Sequence, residues 1–199
     1  MPFRLMDPDD WLRTQSRLLL FGETGAGKTT SLLTWPHDKD HGLHVISCPG
    51  EQGAWAIKPD PANGVYVYVF DLQPGQPSSE VAREMRDLTV NVITGKYGPV
   101  ATLAPDGVHK LNDFYVDAAT GGDFFAGNDF EPMLYVQARR EFINFLNLCR
   151  FSAVPNVVFT CWAGLEKDTK KKEDKSMHVW ADLPGQLAKK IVGEFTACL

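Results

Sequence analysis

No apolar run in the 199 residues approaches the roughly 18 residues a membrane-crossing helix needs. The first residues, Met1 to Pro8, lack the apolar core of a secretory signal. A cytoplasmic protein without a membrane segment is the expectation. C-x-x-C spacing is also missing: the four cysteines, Cys48, Cys149, Cys161 and Cys198, are scattered and each adjoins apolar residues. They read as small core residues, and a zinc site of paired ligands is excluded. His37, His41 and His44 have no companion cysteine pair, so a solvated polar connection is favoured over a metal cluster. A net charge of -5 gives no global attraction to nucleic acid, so any such site must be local. There is no internal repeat and no low-complexity tract. With 44% hydrophobic and 23% charged residues, the composition is that of an ordinary globular chain. The length suits one domain over residues 1–199, with 1–16 as a lead-in.

What the chain does have is Gly22-Glu23-Thr24-Gly25-Ala26-Gly27-Lys28-Thr29, which fits G-x-x-x-x-G-K-[ST]. The apolar run Arg17 to Phe21 predicts a buried strand feeding it, and Thr30 to Trp35 a short helix leaving it before Pro36. That context makes the stretch a phosphate-binding loop. Its glycines let backbone N–H groups turn inward on phosphates, Lys28 reaches the β and γ phosphates, and Thr29 offers a hydroxyl to Mg²⁺. Thr30 completes the predicted nucleotide-binding set.

Strand and helix signals then alternate. Strands are predicted over residues 42–48, 64–71, 113–117, 157–162, 177–180 and 194–199, and helices from Ser78 to about Gly95, over 134–151 and over about 184–192. Residues 96–111, with Gly98, Pro99, Pro105 and Gly107, read as loop, with room for a short hairpin over 100–103. The economical architecture is an α/β fold, a mainly parallel sheet with helices on both faces. The chain stops inside its last strand pattern, which leaves room for a further C-terminal segment. Carboxylates just past strand ends are placed for chemistry, and Glu51 follows the second strand, Asp71 the third and Asp117 the fourth.

The order phosphate loop, Ser47-Cys48-Pro49-Gly50-Glu51, Asp71-Leu72-Gln73-Pro74-Gly75 with its helix, then Phe114-Tyr115-Val116-Asp117 resembles the RecA-like P-loop ATPases. The compact length and the closing Leu183-Pro184-Gly185-Gln186-Leu187 through Phe195 are similar to small bacteriophage-encoded members, including single-strand-annealing recombinases. The resemblance implies ATP and Mg²⁺ as cofactors, a homo-oligomer, a bacterial host cytoplasm and action on single-stranded DNA. It further implies that Lys28 assists catalysis, that Glu51 activates the attacking water and that Asp117 holds the metal through water, with Asp71 as rival. Thr160 is the candidate γ-phosphate sensor, although Trp162 departs from the pattern. DNA contacts would fall on the aromatic loop of Phe124 and Phe125 and on Lys170, Lys171 and Lys172. Arg139, Arg140 or a lysine of residues 167–175 are candidates for a group reaching a neighbour's γ-phosphate. Two other classes stay open: a nucleotide-gated assembly or packaging ATPase with a protein partner, and a small-molecule kinase. The kinase ranks last because Arg83, Arg86, Arg139, Arg140 and Arg150 form no lid-like cluster.

Overall fold

The computed structural model describes residues 15–70, 72–129, 131–167, 177–181 and 197–198. In chain order the elements are β1 (Ser16–Gly22), α1 (Lys28–Ser31), β2 (Gly42–Ser47), β3 (Val65–Tyr68), α2 (Ser78–Ile93), β4 (Val100–Asp106) and α3 (Val108–Ala119). They continue with α4 (Asp123–Ala126), α5 (Pro132–Arg150), β5 (Asn156–Lys167), β6 (Met177–Ala181) and β7 (Ala197–Cys198). Short 3-10 turns follow α1 at Leu32–Thr34 and lie between β2 and β3 at Gly53–Ala56 and Pro61–Asn63.

The sheet runs β3-β2-β4-β5-β1-β7, with every neighbouring pair parallel. β6 pairs antiparallel with the far end of β5, Ala163 to Lys167. An α/β fold built on a mainly parallel sheet is therefore present, and successive residues of its strands face opposite cores. Leu19, Ile46, Leu103, Val157 and Phe159 pack with Met85, Leu111, Phe142 and Phe145 of α2, α3 and α5. Leu18, Val45, Ala104 and Val158 face the other way, onto Leu32 and Ala54 of the short helical turns and Ile57 just beyond. Among the described residues the long helices thus share one face. The helix expected over 184–192 lies outside the described residues.

The central strand β4 corrects the loop expected over 96–111. Pro105 and Gly107 mimic turn signals, yet Pro105 stands opposite Ile46 in the β2 ladder. The Asp106 carbonyl accepts from the Cys48 amide at 2.8 Å, so Asp106 turns its polar backbone to β2 and Pro105 turns its own to β5. The β4–β5 pairing has already ended at Leu103, so the missing proline N–H costs no ladder bond.

The strand expected over 113–117 is also corrected. Phe114, Tyr115 and Val116 favour strands locally, but Val108, Leu111, Tyr115 and Val116 recur at helical spacing, and α3 buries Val108 and Leu111 in the core it shares with the sheet. Tertiary packing overrides the local preference. The expected third strand is shorter, ending at Tyr68, and Asp71 lies outside the described residues.

The histidines divide. His41 is exposed beside Asp38, at 3.5 Å. His44 is fully buried in β2, stacked on Tyr66 with ring centroids 4.6 Å apart. Cys48, Cys149 and Cys161 are buried free thiols, in keeping with their reading as core residues.

Candidate functional site

Parallel strands present their C-terminal ends on one edge, and the cleft lies there. Its volume is about 630 Å³, and Lys28, Thr29, Glu51, Gly53, Asp106 and Trp162 are among its walls. The loop between β1 and α1 supplies Thr24, Gly25 and Gly27 to the same cleft, and α1 supplies Thr30. Glu23 and Ala26 close a turn of that loop through a 3.2 Å backbone bond. The Lys28 ammonium folds over the loop, donating to the Gly22 and Glu23 carbonyls at 2.8 Å each.

Opposite the loop stands Asp106, the last residue of β4. The Thr29 hydroxyl lies 3.0 and 3.1 Å from its two carboxylate oxygens. Burial pushes the Asp106 carboxyl above its ordinary range, while hydrogen bonds from Thr160 and Thr29 oppose that shift. Asp106 was not among the expected site residues. A mostly apolar run, Val100 to Ala104 with Thr102 inside it, does precede it, but Pro105 and Gly107 disguise the strand.

Thr160 is buried behind this carboxylate. Its hydroxyl donates to Asp106 and accepts from the Gly107 amide at 2.8 Å. It therefore orients Asp106, and it is itself among the residues that line the cleft.

Glu51 follows β2 through a tight turn in which its amide donates to the Cys48 carbonyl at 3.0 Å. Its Oε1 accepts from the Gln52 and Gly53 amides at 3.0 and 3.1 Å. Two glycines make room for it. A Cβ on Gly107 would come within 2.5 Å of Glu51 Cγ, and that residue sits at φ +81°, a left-handed geometry that side chains resist. A Cβ on Gly53 would meet Thr29 Oγ1 at 2.6 Å, Asp106 Oδ2 at 3.0 Å and Glu51 Oε1 at 3.4 Å. The three oxygen-bearing side chains thus converge on one small space.

Lys110 and Trp162 complete this wall, and the buried His109 packs against Trp162. The His109 ring lies 4.6 Å from that of Trp162, and the Lys110 ammonium sits 4.9 Å from the centre of the Trp162 ring. Burial, with Lys110 and Lys28 nearby, lowers the His109 pKa to about 4. Trp162 stands opposite Gly22 in the β1–β5 register, which is how β5 brings it to the phosphate loop.

Asp117 does not join the cleft. It lies within α3, buried, accepting from the Ser78 hydroxyl at 2.5 Å and the Phe125 amide at 2.8 Å. Its place at a strand end is corrected because α3 carries it onto the starts of α2 and α4. Phe124 and Phe125 belong to α4, and Phe125 is 54% exposed with its ring edge-on to Phe114. Lys170, Lys171 and Lys172 lie outside the described residues. Among those that are described, no group of three or more His, Cys, Asp or Glu side chains is arranged to hold a metal. No helix there is long and apolar enough to cross a membrane.

The model of the AAA domain family matches residues 14–199. The chain belongs to this family. It is an ATPase domain of the P-loop type, and the family implies that its phosphate loop binds nucleotide. Among solved structures it is similar to a prototypical ATPase from the type III secretion system of pathogenic bacteria, with a TM-score of 0.52 and 13% identity. The match covers 92% of this chain and 50% of that one, so this AAA domain spans about half that ATPase's length. At such identity the likeness shows the fold alone. No curated protein matches the sequence.

Proposed function

We propose that this domain is a Mg²⁺-dependent, RecA-like ATPase that acts on single-stranded DNA, in recombination or annealing of the bacteriophage type. The observation that carries the chemistry is the convergence of Thr29, Glu51 and Asp106 around Gly53. Lys28 and the loop amides bind the phosphates. Thr29 Oγ1 and the Asp106 carboxylate, 3.0 to 3.1 Å apart, are hard oxygen donors of the kind magnesium takes in company with phosphate oxygens and water. Magnesium, when bound, neutralises charge developing on the transferred phosphoryl group. Glu51 takes a proton from the attacking water. Its Oε1 accepts from two backbone amides, which hold the carboxylate at the space it shares with Thr29 and Asp106.

Two features support DNA as the target. The exposed Phe125 offers a ring face on which an unpaired base can stack. The chain from β5 to β6 also carries five lysines over residues 167–175, and β5 leads directly from Trp162 in the cleft to that segment.

The test is ATP turnover by the purified protein with and without single-stranded DNA, beside Lys28→Ala and Glu51→Gln. Turnover that rises with DNA and is lost in both variants is the expected result, together with salt-dependent binding of a labelled strand. Turnover indifferent to DNA, with no strand bound, removes the DNA reading in favour of a protein partner. Unchanged turnover in Glu51→Gln removes the role given to Glu51.

A further inference from the structure

We propose that His109 is a positioning residue for Glu51: its Nε2–H docks on the buried Glu51 Oε2 and fixes the orientation in which the carboxylate meets the attacking water. The inference rests on the reading of Glu51 as general base and deepens it.

An ionised carboxylate offers about four acceptor positions. The Gln52 and Gly53 amides occupy Oε1. Oε2 is buried and, among the described residues, has no hydrogen-bond partner. The same holds for both ring nitrogens of His109, a residue only 5% exposed. These groups face each other, with His109 Nε2 3.8 Å from Glu51 Oε2. Buried polar atoms left without partners destabilise a fold, so two that face each other across less than 4 Å call for an account. A displacement of about one ångström brings them to hydrogen-bonding distance.

The surroundings direct that contact. Trp162 packs on the imidazole and restricts its swing, and Lys110 caps the Trp162 ring. Gly107 lets the Glu51 side chain lie flat against the backbone one residue beyond Asp106, under the imidazole of α3. The ring is neutral at neutral pH because burial and the neighbouring lysines disfavour its cation. A neutral donor orients a carboxylate without forming the ion pair that weakens its basicity most.

The experiment is ATP hydrolysis, in steady state over a range of Mg²⁺-ATP concentrations and in single turnover, for wild type, Glu51→Gln, His109→Phe, His109→Gln and the double variant of Glu51→Gln with His109→Phe. Phenylalanine keeps a ring against Trp162 and removes the donor; glutamine restores an N–H. We expect His109→Phe to lower kcat about 10- to 100-fold with KM within about twofold, and His109→Gln to recover much of the loss. His109→Phe should add nothing in the Glu51→Gln background, because both changes break one unit. Full kcat in His109→Phe beside an inactive Glu51→Gln overturns this proposal alone. An undiminished loss in the double variant, or no recovery with glutamine, overturns it too. Full turnover in Glu51→Gln overturns the general-base reading and this proposal with it. A second measurement does not depend on any variant folding: nitrogen NMR of labelled histidine in the wild-type protein with Mg²⁺-ADP and aluminium fluoride. A proton on His109 Nε2 is expected, and an unprotonated Nε2 overturns the proposal.

Discussion

Thr29 and Asp106, 77 residues apart in the chain, meet with the threonine hydroxyl 3.0 Å from one carboxylate oxygen and 3.1 Å from the other. The contact is a product of topology. β5 stands between β1 and β4, so the phosphate loop at the end of β1 and the carboxylate at the end of β4 are two strands apart. Thr160 of that intervening strand holds Asp106 from behind. One carboxylate is thereby fixed by two hydroxyls on different elements.

The two aspartates make opposite predictions. Asp106→Asn should lower ATP turnover about 100-fold or more while the protein stays folded, since it removes the charge facing Thr29. Asp117→Asn should leave turnover within about threefold and cost roughly 1–3 kcal/mol of stability, through its bonds to Ser78 and the Phe125 amide. Turnover and urea unfolding on the same preparations check both. An inactive, fully stable Asp117→Asn would return the metal role to Asp117.

Gly53 gives a sharper test of the shared space. A single methyl there would sit 2.6 Å from Thr29 Oγ1 and 3.0 Å from Asp106 Oδ2. Its backbone does not require positive φ, so Gly53→Ala acts by intrusion. We expect turnover to fall about 10- to 100-fold, with ADP affinity in EDTA changed less than about threefold. Equal loss of ADP affinity with and without Mg²⁺ would mean that the methyl disturbs the phosphate loop and leaves the Thr29–Asp106 pair in place.

Much of this was legible in the chain, and the reasons differ by element. The phosphate loop declares itself because G-x-x-x-x-G-K-T carries its chemistry in consecutive residues, and α2 because Val81, Met85 and Val92 repeat at helical spacing. That Glu51 stands at the cleft is legible from its place after a strand. Asp106 was missed because Pro105 and Gly107 surround it with turn signals whose conflict with a strand is resolved only by where β4–β5 pairing ends. Asp117 was favoured because Phe114 to Val116 suit a strand when seen alone. The pairing of His109 with Glu51 and Trp162 joins three distant stretches, and no local pattern announces it.

Stability should fall on mild acidification, and His44 is one cause. Burial lowers its pKa to about 4, below the roughly 6.5 of an unfolded histidine. Between those values the unfolded chain binds the extra proton, so the folded state loses ground as pH drops from 7 toward 4. With a folded pKa of about 4, the loss from this group at pH 5 is on the order of 2 kcal/mol. His44→Gln removes the titration, so its unfolding free energy should decline less than that of wild type between pH 7 and pH 5. Parallel pH profiles for the two proteins would rule out His44 as a contributor.

Arg17 should matter for stability and not for chemistry. It is buried in β1, and its guanidinium donates to the carbonyls of Arg150 at 2.6 Å, Ser152 at 3.0 Å, Pro155 at 3.1 Å and Ser16 at 2.9 Å, and to the Gln15 side chain at 2.6 Å. One side chain therefore gathers the end of α5 and the entry to β5 onto β1, and a cation at a helix C-terminus also favours the helix dipole. Arg17→Met keeps the length and strips the donors, leaving several carbonyls to find water at a buried edge. We expect a loss of roughly 2–4 kcal/mol in urea unfolding, with KM for ATP unchanged. Arg17→Lys should recover less than half, because one ammonium cannot reproduce a planar fork that serves carbonyls on both sides. A loss below about 1 kcal/mol in Arg17→Met would mean that those carbonyls hydrate freely and that the β1–β5 ladder alone docks the helix end.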